Sequence, residues 1–163
     1  MELRRARPEE YAAIGDVTVA AYDGFLDGPE DPYRDRLRDV ATRDTEAEVW
    51  VAVGDDGAVL GNVTVCPPGS PWCELADDTA GEGEFRMLAV SPAAQGRGVG
   101  RALAGLVIDR FRTDGARVVV LSSLRDMSTA HALYERIGFE RAPSRDWSPY
   151  PGVQLIAYTL ELR

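Results

Sequence analysis

The chain has 163 residues, 45% hydrophobic and 28% charged, which fits one soluble globular domain with a sizeable core. A net charge of −9 disfavours nucleic-acid binding, because an acidic surface repels a phosphate backbone, although it suits a cationic substrate. Since the sequence contains no run of about 18 apolar residues and no secretory signal, we expect no membrane partner, a cytoplasmic location and a single domain over residues 1–163.

Strand and helix signals alternate through the first half of the chain. Pro8-Glu9-Glu10 is typical of a helix start, because proline fits the first turn and the helix dipole stabilises acidic side chains there. Gly54-Asp55-Asp56-Gly57 is typical of a hairpin turn. In chain order the predicted elements are a strand at residues 2–6, a helix from Pro8 through Ala21, a loop at Gly24–Pro32, a helix from Tyr33 through Ala41, strands at Glu48–Val53 and Ala58–Val65, and a long loop at Cys66–Gly83.

The second half alternates strands and helices more regularly. The run Val118-Val119-Val120-Leu121 lacks polar alternation and predicts a strand that is buried on both faces. The predicted elements are strands at Glu84–Val90, Arg117–Leu124 and Val153–Leu162, helices at Gly98–Thr113 and Ser128–Ile137, and a short strand near Phe139. Together they predict a mixed α/β domain built on one sheet.

A glycine-rich turn, Gln95-Gly96-Arg97-Gly98-Val99-Gly100, joins a predicted strand to a predicted helix. The first N–H groups of a helix have no partners within it, and the helix dipole adds partial positive charge there. Glycines let phosphate oxygens approach those N–H groups closely, and Arg97 and Arg101 add charge at the rim. The turn therefore predicts a phosphate cradle.

Two well-known phosphate loops do not fit this turn. A Walker A loop requires GxxxxGK[ST], and no lysine is present. A dinucleotide fingerprint requires a third glycine or an alanine at a position that Arg101 or Leu103 occupies here. An unrelated nucleotide-binding module and a glycine-rich helix start without a ligand remain as alternatives.

Three segments carry a resemblance to a known family. The pattern Gln-x-x-Gly-x-Gly after a strand resembles the coenzyme A pyrophosphate signature of the GCN5-related N-acetyltransferase (GNAT) family. Residues 84–92, EFRMLAVSP, are similar to that family's fourth strand and its exit. Residues 130–139 contain A-x-x-L-Y-x-x-x-G-F, which is typical of a later helix of the family.

The resemblance implies a mixed, mostly antiparallel central sheet, flanked by helices, in which the parallel strands Glu84–Val90 and Arg117–Leu124 splay apart. Acetyl-coenzyme A would enter that gap as the acyl donor. Its pantetheine arm would contact Met87, Leu88, Ala89 and Val90, and its pyrophosphate would contact the backbone of Gln95, Gly96, Arg97, Gly98, Val99, Gly100, Arg101 and Ala102. One departure is Met127, at a position where the family often has asparagine.

The activity that the resemblance implies is acetyl transfer to an amine by direct attack. Glu84 is the candidate general base, with Glu82 in reserve, and the alternative is that Glu84 only pairs with Arg86. Tyr134 is the candidate general acid for the departing thiolate, and the alternative is that it only packs in the core. A non-catalytic acyl-coenzyme A binding or sensing domain is the competing function.

The acceptor and the remaining partners are less visible. Loops with aromatic and acidic side chains suit a small-molecule or peptide amine with an apolar body. Cys66 and Cys73 are expected to be reduced thiols. His131, the one histidine, is expected to have a helix-surface or packing role, and the alternative is a catalytic one. Because zinc ligands are lacking, no metal is expected. The family also allows a homodimer, to which Val153–Leu162 would contribute.

Overall fold

Seven strands form one sheet in the computed structural model, which describes all residues from Met1 to Arg163. The strands are β1 (Glu2–Arg5), β2 (Glu48–Val53), β3 (Val59–Cys66), β4 (Glu82–Val90), β5 (Val118–Leu124), β6 (Glu140–Arg141) and β7 (Leu155–Glu161). Their order in the sheet is β1-β2-β3-β4-β5-β7-β6. Only β4 and β5 are parallel, so the predicted mixed, mostly antiparallel sheet is confirmed.

The parallel pair separates soon after it forms. β4 and β5 are in register from Glu82 opposite Val118 to Glu84 opposite Val120, and the pairing ends there. Farther along β4, Met87 has a φ of 54°, and the β3–β4 register shifts between Asn62 and Thr64. Such a bulge bends a strand. The rest of β4 therefore leaves β5, as the predicted splay requires, and a gap opens in the sheet.

Five helices flank the sheet: α1 (Tyr11–Tyr22), α2 (Tyr33–Arg38), α3 (Val40–Glu46), α4 (Val99–Thr113) and α5 (Ser128–Ile137). The single helix predicted from Tyr33 through Ala41 is wrong, because Asp39 leaves helical geometry with a ψ of 67°. The Asp39 carboxylate instead accepts the N–H of Thr42 at 3.2 Å and caps α3. The boundaries of β4 and β7 also differ from the prediction by two residues at their starts.

The largest core cluster lies between the sheet and the helices α4 and α5. Val99, Leu103, Val107 and Phe111 are spaced four residues apart and form the buried stripe of α4. Gly83 of β4 lies beneath this stripe, and a Cβ there would approach the ring of Phe111 to 2.3 Å. This close approach holds α4 across β4, so the start of the helix lies at the mouth of the gap. No helix is long and apolar enough to span a lipid bilayer.

Candidate active site

The glycine turn presents a row of free backbone donors. None of the N–H groups from Gln95 to Arg101 donates a hydrogen bond within the chain, and Ala102 is the first to do so, to Gly98 O at 3.0 Å. Gly96 and Gly98 have φ values of 77° and 80°, which L side chains rarely adopt, and open space surrounds both. The turn therefore fits an anion of phosphate type.

Two residues of the predicted cradle have other tasks. The N–H of Ala102 is already used within the helix, so it offers the anion no free donor. A Cβ on Gly100 would lie 3.1 Å from Leu133 Cδ2, so this glycine mainly allows α4 and α5 to pack closely. That the backbone from Gln95 to Ala102 contacts the pyrophosphate stays a prediction, to which Ala102 can contribute no free N–H.

Two adjoining cavities open along the gap between β4 and β5. The turn cavity, of about 430 Å³, is lined by the glycine turn and by residues along the whole of α5. The aromatic cavity, of about 350 Å³, is lined by α2, the middle of β4, the end of β5 and Tyr134. They share the lining residues Tyr22, Phe25, Leu88, Met127 and Ala130. An elongated ligand can therefore run from the turn to the aromatic cavity.

The predicted contacts of β4 divide between the two cavities. Met87 lines the aromatic cavity, Val90 lines the turn cavity, and Leu88 lines both. Ala89 lines neither, because its side chain is buried within the sheet packing. Arg101 lines the turn cavity, whereas Arg97 is exposed and lines neither cavity.

The position of Tyr134 allows both roles considered from the sequence, core packing and proton donation to a ligand. Its ring packs edge-on against Phe85 and Phe139, with centroids 6.0 and 5.8 Å away. The residue also lines the aromatic cavity, and its hydroxyl makes no hydrogen bond within the chain. Burial raises the pKa of the Tyr134 phenol, and Tyr158 adds to the effect. A fixed, protonated hydroxyl is thus available to a ligand.

Glu84 is fully buried and its carboxylate is occupied by backbone donors. It accepts the N–H groups of Glu74 at 2.8 Å, Leu75 at 2.6 Å and Ala76 at 2.9 Å. The residue does not line either cavity. Its predicted role as base stays a prediction, and these contacts are those of a carboxylate that holds a loop in place. It does not form the predicted alternative pair with Arg86, whose Nε lies 3.0 Å from a Glu74 oxygen.

Glu82, the second candidate for the base, also accepts hydrogen bonds with both of its carboxylate oxygens. Both of its oxygens accept from the Arg145 guanidinium, at 2.8 and 2.9 Å. It accepts the N–H of Asp77 as well, at 2.9 Å. The hydrogen bond from Arg145 lowers the pKa of Glu82, which makes the carboxylate a weaker proton acceptor.

The sequence interpretation missed a charged group in the aromatic cavity. Glu74, Arg86 and Arg36 all line it. The guanidinium groups of Arg36 and Arg86 lie 4.7 and 5.4 Å from the ring centroid of Trp72. Trp72 lies in the loop before β4, and no local pattern in the sequence connects it with either arginine.

His131 packs between the end of β5 and Tyr158, and the two cysteines form no disulfide. His131 Nε2 lies 3.1 Å from both Ser123 Oγ and the Leu124 carbonyl oxygen, and the ring packs 5.6 Å from Tyr158. Burial lowers the pKa of His131. Cys66 and Cys73 are free thiols.

Comparison with sequences of known proteins identifies a family. The model of the acetyltransferase (GNAT) family matches residues 11–139. A mycothiol acetyltransferase of Cellulomonas flavigena is 34% identical over 144 residues, which cover 78% of this chain and 40% of that protein. Another, of Mycobacterium avium, is 29% identical in an alignment 172 positions long that covers 85% of this chain and 52% of that protein. The chain thus spans about half or less of these two relatives.

Solved structures share the fold over nearly the whole chain. An acetyltransferase of the GNAT family from Staphylococcus aureus has a TM-score of 0.75 at 12% identity and covers 99% of both chains. A GNAT acetyltransferase from Desulfovibrio desulfuricans has a TM-score of 0.75 at 24% identity, with 98% of both chains covered. A Salmonella typhimurium protein, solved with acetyl-CoA, has a TM-score of 0.69 at 22% identity and covers 99% of this chain and 94% of that one.

Proposed function

Because the chain belongs to the GNAT family of acetyltransferases, we propose that it transfers the acetyl group of acetyl-coenzyme A to the nitrogen of a small-molecule or peptide amine. One observation carries the proposal. The residues from Gln95 to Arg101 have unpaired N–H groups and, except for Arg97, line a cavity that adjoins a second cavity beside Tyr134. We further propose that residues 1–163 form one acetyltransferase domain. A homodimer stays a prediction.

The residues of the glycine turn fit a pyrophosphate. Free N–H groups at the start of a helix combine hydrogen bonds with the positive end of the helix dipole, and α4 is 15 residues long. Arg101 lines the same cavity and adds a full positive charge. When bound, acetyl-coenzyme A supplies an acetyl group activated as a thioester. The splayed part of β4, from Met87 to Val90, would orient the pantetheine arm toward the aromatic cavity.

Tyr134 is the proposed acid for the departing thiolate. Packing against Phe85 and Phe139 fixes the ring, so the hydroxyl has a defined direction. Because burial raises the pKa of Tyr134, the phenol keeps its proton at neutral pH and can donate it to sulfur. A thiolate with a conjugate-acid pKa of about 8.5 is already a fair leaving group, so this help is expected to be modest.

The acceptor amine has to lose a proton before it can attack. An alkyl ammonium has a pKa of about 10.4, so only about one molecule in 2,500 is neutral at pH 7. A positioned base accelerates such a step by roughly 10² to 10⁴. Glu84 would have to act through another group, because its carboxylate does not line the aromatic cavity.

The proposal is tested by measuring donor binding and turnover separately. Titration calorimetry with acetyl-coenzyme A is expected to give saturable binding. Thiol release is then followed across a panel of small-molecule and peptide amines. Release that depends on an amine supports the enzyme, binding without release with any amine points to an acyl-coenzyme A sensing domain, and absence of binding contradicts both.

A further inference from the structure

Two carboxylates line the aromatic cavity, Asp31 and Glu74, and only one is available. Asp31 accepts the N–H groups of Asp27 and Tyr33, both at 2.9 Å. These hydrogen bonds stabilise its charged form and lower its pKa. Asp31 is thus used to shape the turn before α2, and Glu74 is left as the carboxylate of the cavity that accepts no backbone N–H.

Glu74 is held in place from two directions. Its backbone N–H donates to both oxygens of Glu84, at 3.1 and 2.8 Å. Its Oε1 lies 3.0 Å from Arg86 Nε, and Arg86 itself donates to Trp72 O at 3.2 Å. The other oxygen, Oε2, makes no hydrogen bond within the chain. One oxygen is therefore engaged by Arg86, the other carries no hydrogen bond, and the residue lines the aromatic cavity.

We propose that Glu74 is the catalytic base that takes the proton from the attacking amine, and that Glu84 is the residue that positions it. This inference rests on the proposed function. It assigns the proton transfer to a residue outside the motifs that indicated the family.

The proposed reaction releases one proton to solvent for each acetyl group transferred. The acceptor ammonium gives one proton to Glu74, which returns it to solvent. The nitrogen electron pair then forms the C–N bond with the thioester carbon, and the C–S bond breaks with its pair on sulfur. Sulfur takes the Tyr134 proton, and the excess proton on the new amide nitrogen restores the phenol. The products are the acetylated amine, free coenzyme A and one proton.

The charges around Glu74 suit this role. Burial raises its pKa, and the nearby Glu84 carboxylate acts in the same direction. Arg86 and Arg36 oppose the shift but do not cancel it. A carboxyl with a raised pKa is a stronger base than an ordinary glutamate, because the gap to the ammonium pKa is smaller. Tyr33 is the remaining titratable neighbour on α2, and burial raises its pKa, so it stays neutral.

The test uses the full chain and the panel amine that wild type turns over fastest. Glu74→Gln is expected to lower kcat about 100-fold or more. Its acetyl-coenzyme A affinity should change less than twofold. Its residual rate should increase steadily with pH, because only the intrinsic fraction of free amine then reacts. Glu74→Asp keeps the carboxylate and should retain the wild-type form of the pH profile at a lower kcat.

Glu48→Gln is the matched control, because Glu48 also pairs with an arginine, Arg110, at 2.7 Å, but lies outside both cavities. It should leave kcat and the pH profile unchanged. A Glu74→Gln enzyme with wild-type kcat and pH profile overturns the role of Glu74 and leaves the proposed function intact. If the wild-type protein turns over no amine, the role of Glu74 and the proposed function are both overturned. If Glu74→Gln does not fold, Glu74→Asp decides, and an unchanged kcat in that variant overturns the inference.

Discussion

The carboxylate of Glu84 on β4 accepts the backbone N–H of Glu74 at 2.8 Å, although ten residues separate them in the chain. The same carboxylate accepts the next two N–H groups, of Leu75 and Ala76. A residue of the central sheet thereby holds the loop segment that contributes to the aromatic cavity. The conformation of this loop therefore depends on the buried Glu84 carboxylate, together with Arg145, which donates to the Leu75 carbonyl oxygen at 2.7 Å.

Glu84→Gln is expected to destabilise the fold by about 1–3 kcal/mol, because an amide satisfies fewer of the buried donors than a carboxylate. Urea unfolding measures the change. Glu9→Gln, at an exposed residue without a side-chain hydrogen bond, should change the free energy of unfolding by less than about 0.5 kcal/mol. Equal stability of the two variants would contradict the structural role of Glu84.

Gly98→Glu should abolish acetyl-coenzyme A binding, because it places a negative charge among the free N–H groups and strains a residue with a φ of 80°. Calorimetry measures the affinity. Gly57→Glu is the matched control, since Gly57 has a φ of 82° and open space around it but lies in the β2–β3 hairpin. It should carry similar strain and bind normally. If Gly98→Glu and Gly57→Glu bind acetyl-coenzyme A with equal affinity, the turn is not the pyrophosphate site.

Tyr134→Phe should lower kcat about 100-fold, the lower end for a general acid, with little change in stability. The ring packing is kept, and the lost hydroxyl has no partner in the chain. Tyr158→Phe is the control, because Tyr158 packs 6.1 Å from Tyr134 but its hydroxyl donates to Glu135 at 3.2 Å. Steady-state kinetics on both variants separates the roles. Similar rates in the two variants would leave Tyr134 with packing alone.

Gly83→Ala should destabilise the protein by about 1–3 kcal/mol, because a Cβ would overlap the buried Phe111 ring. Gly105→Ala should stabilise it by about 0.5–1 kcal/mol, since Gly105 lies within α4 with open space around it. Opposite shifts of the urea midpoint are therefore expected. If both substitutions shift it in the same direction, the close approach of α4 to β4 is not as described.

Glu82→Gln should change how stability depends on pH. Arg145 lowers the folded-state pKa of Glu82 below its ordinary value of 4.5, so this pair stabilises the fold above pH 4.5. That contribution is lost as the pH falls through the folded pKa. Urea unfolding from pH 7 to pH 3 should show wild type more stable than the variant at pH 7, with the difference shrinking below pH 4.5. A constant difference over this range would exclude the linkage.

The chain order of strands and helices was predictable because it depends on local patterns. The stripe Val99, Leu103, Val107 and Phe111 predicts α4 from its own spacing, and the uninterrupted run at Val118–Leu121 predicts a buried strand. The free donors of the glycine turn follow from helix geometry and glycine alone. The break at Asp39 was missed, because a capping aspartate competes with a helical pattern that otherwise continues.

The sequence by itself therefore determined the family, the mixed sheet and the anion-binding turn, since each rests on residues close together in the chain. Only the tertiary structure decided which carboxylate is buried and which faces a cavity. Glu74, Glu82 and Glu84 are similar residues within one short stretch, and their roles depend on Arg86, Arg145 and the backbone of residues 74–76. The physical reason is that the protonation and reach of a carboxylate depend on its burial and partners, which distant parts of the chain supply.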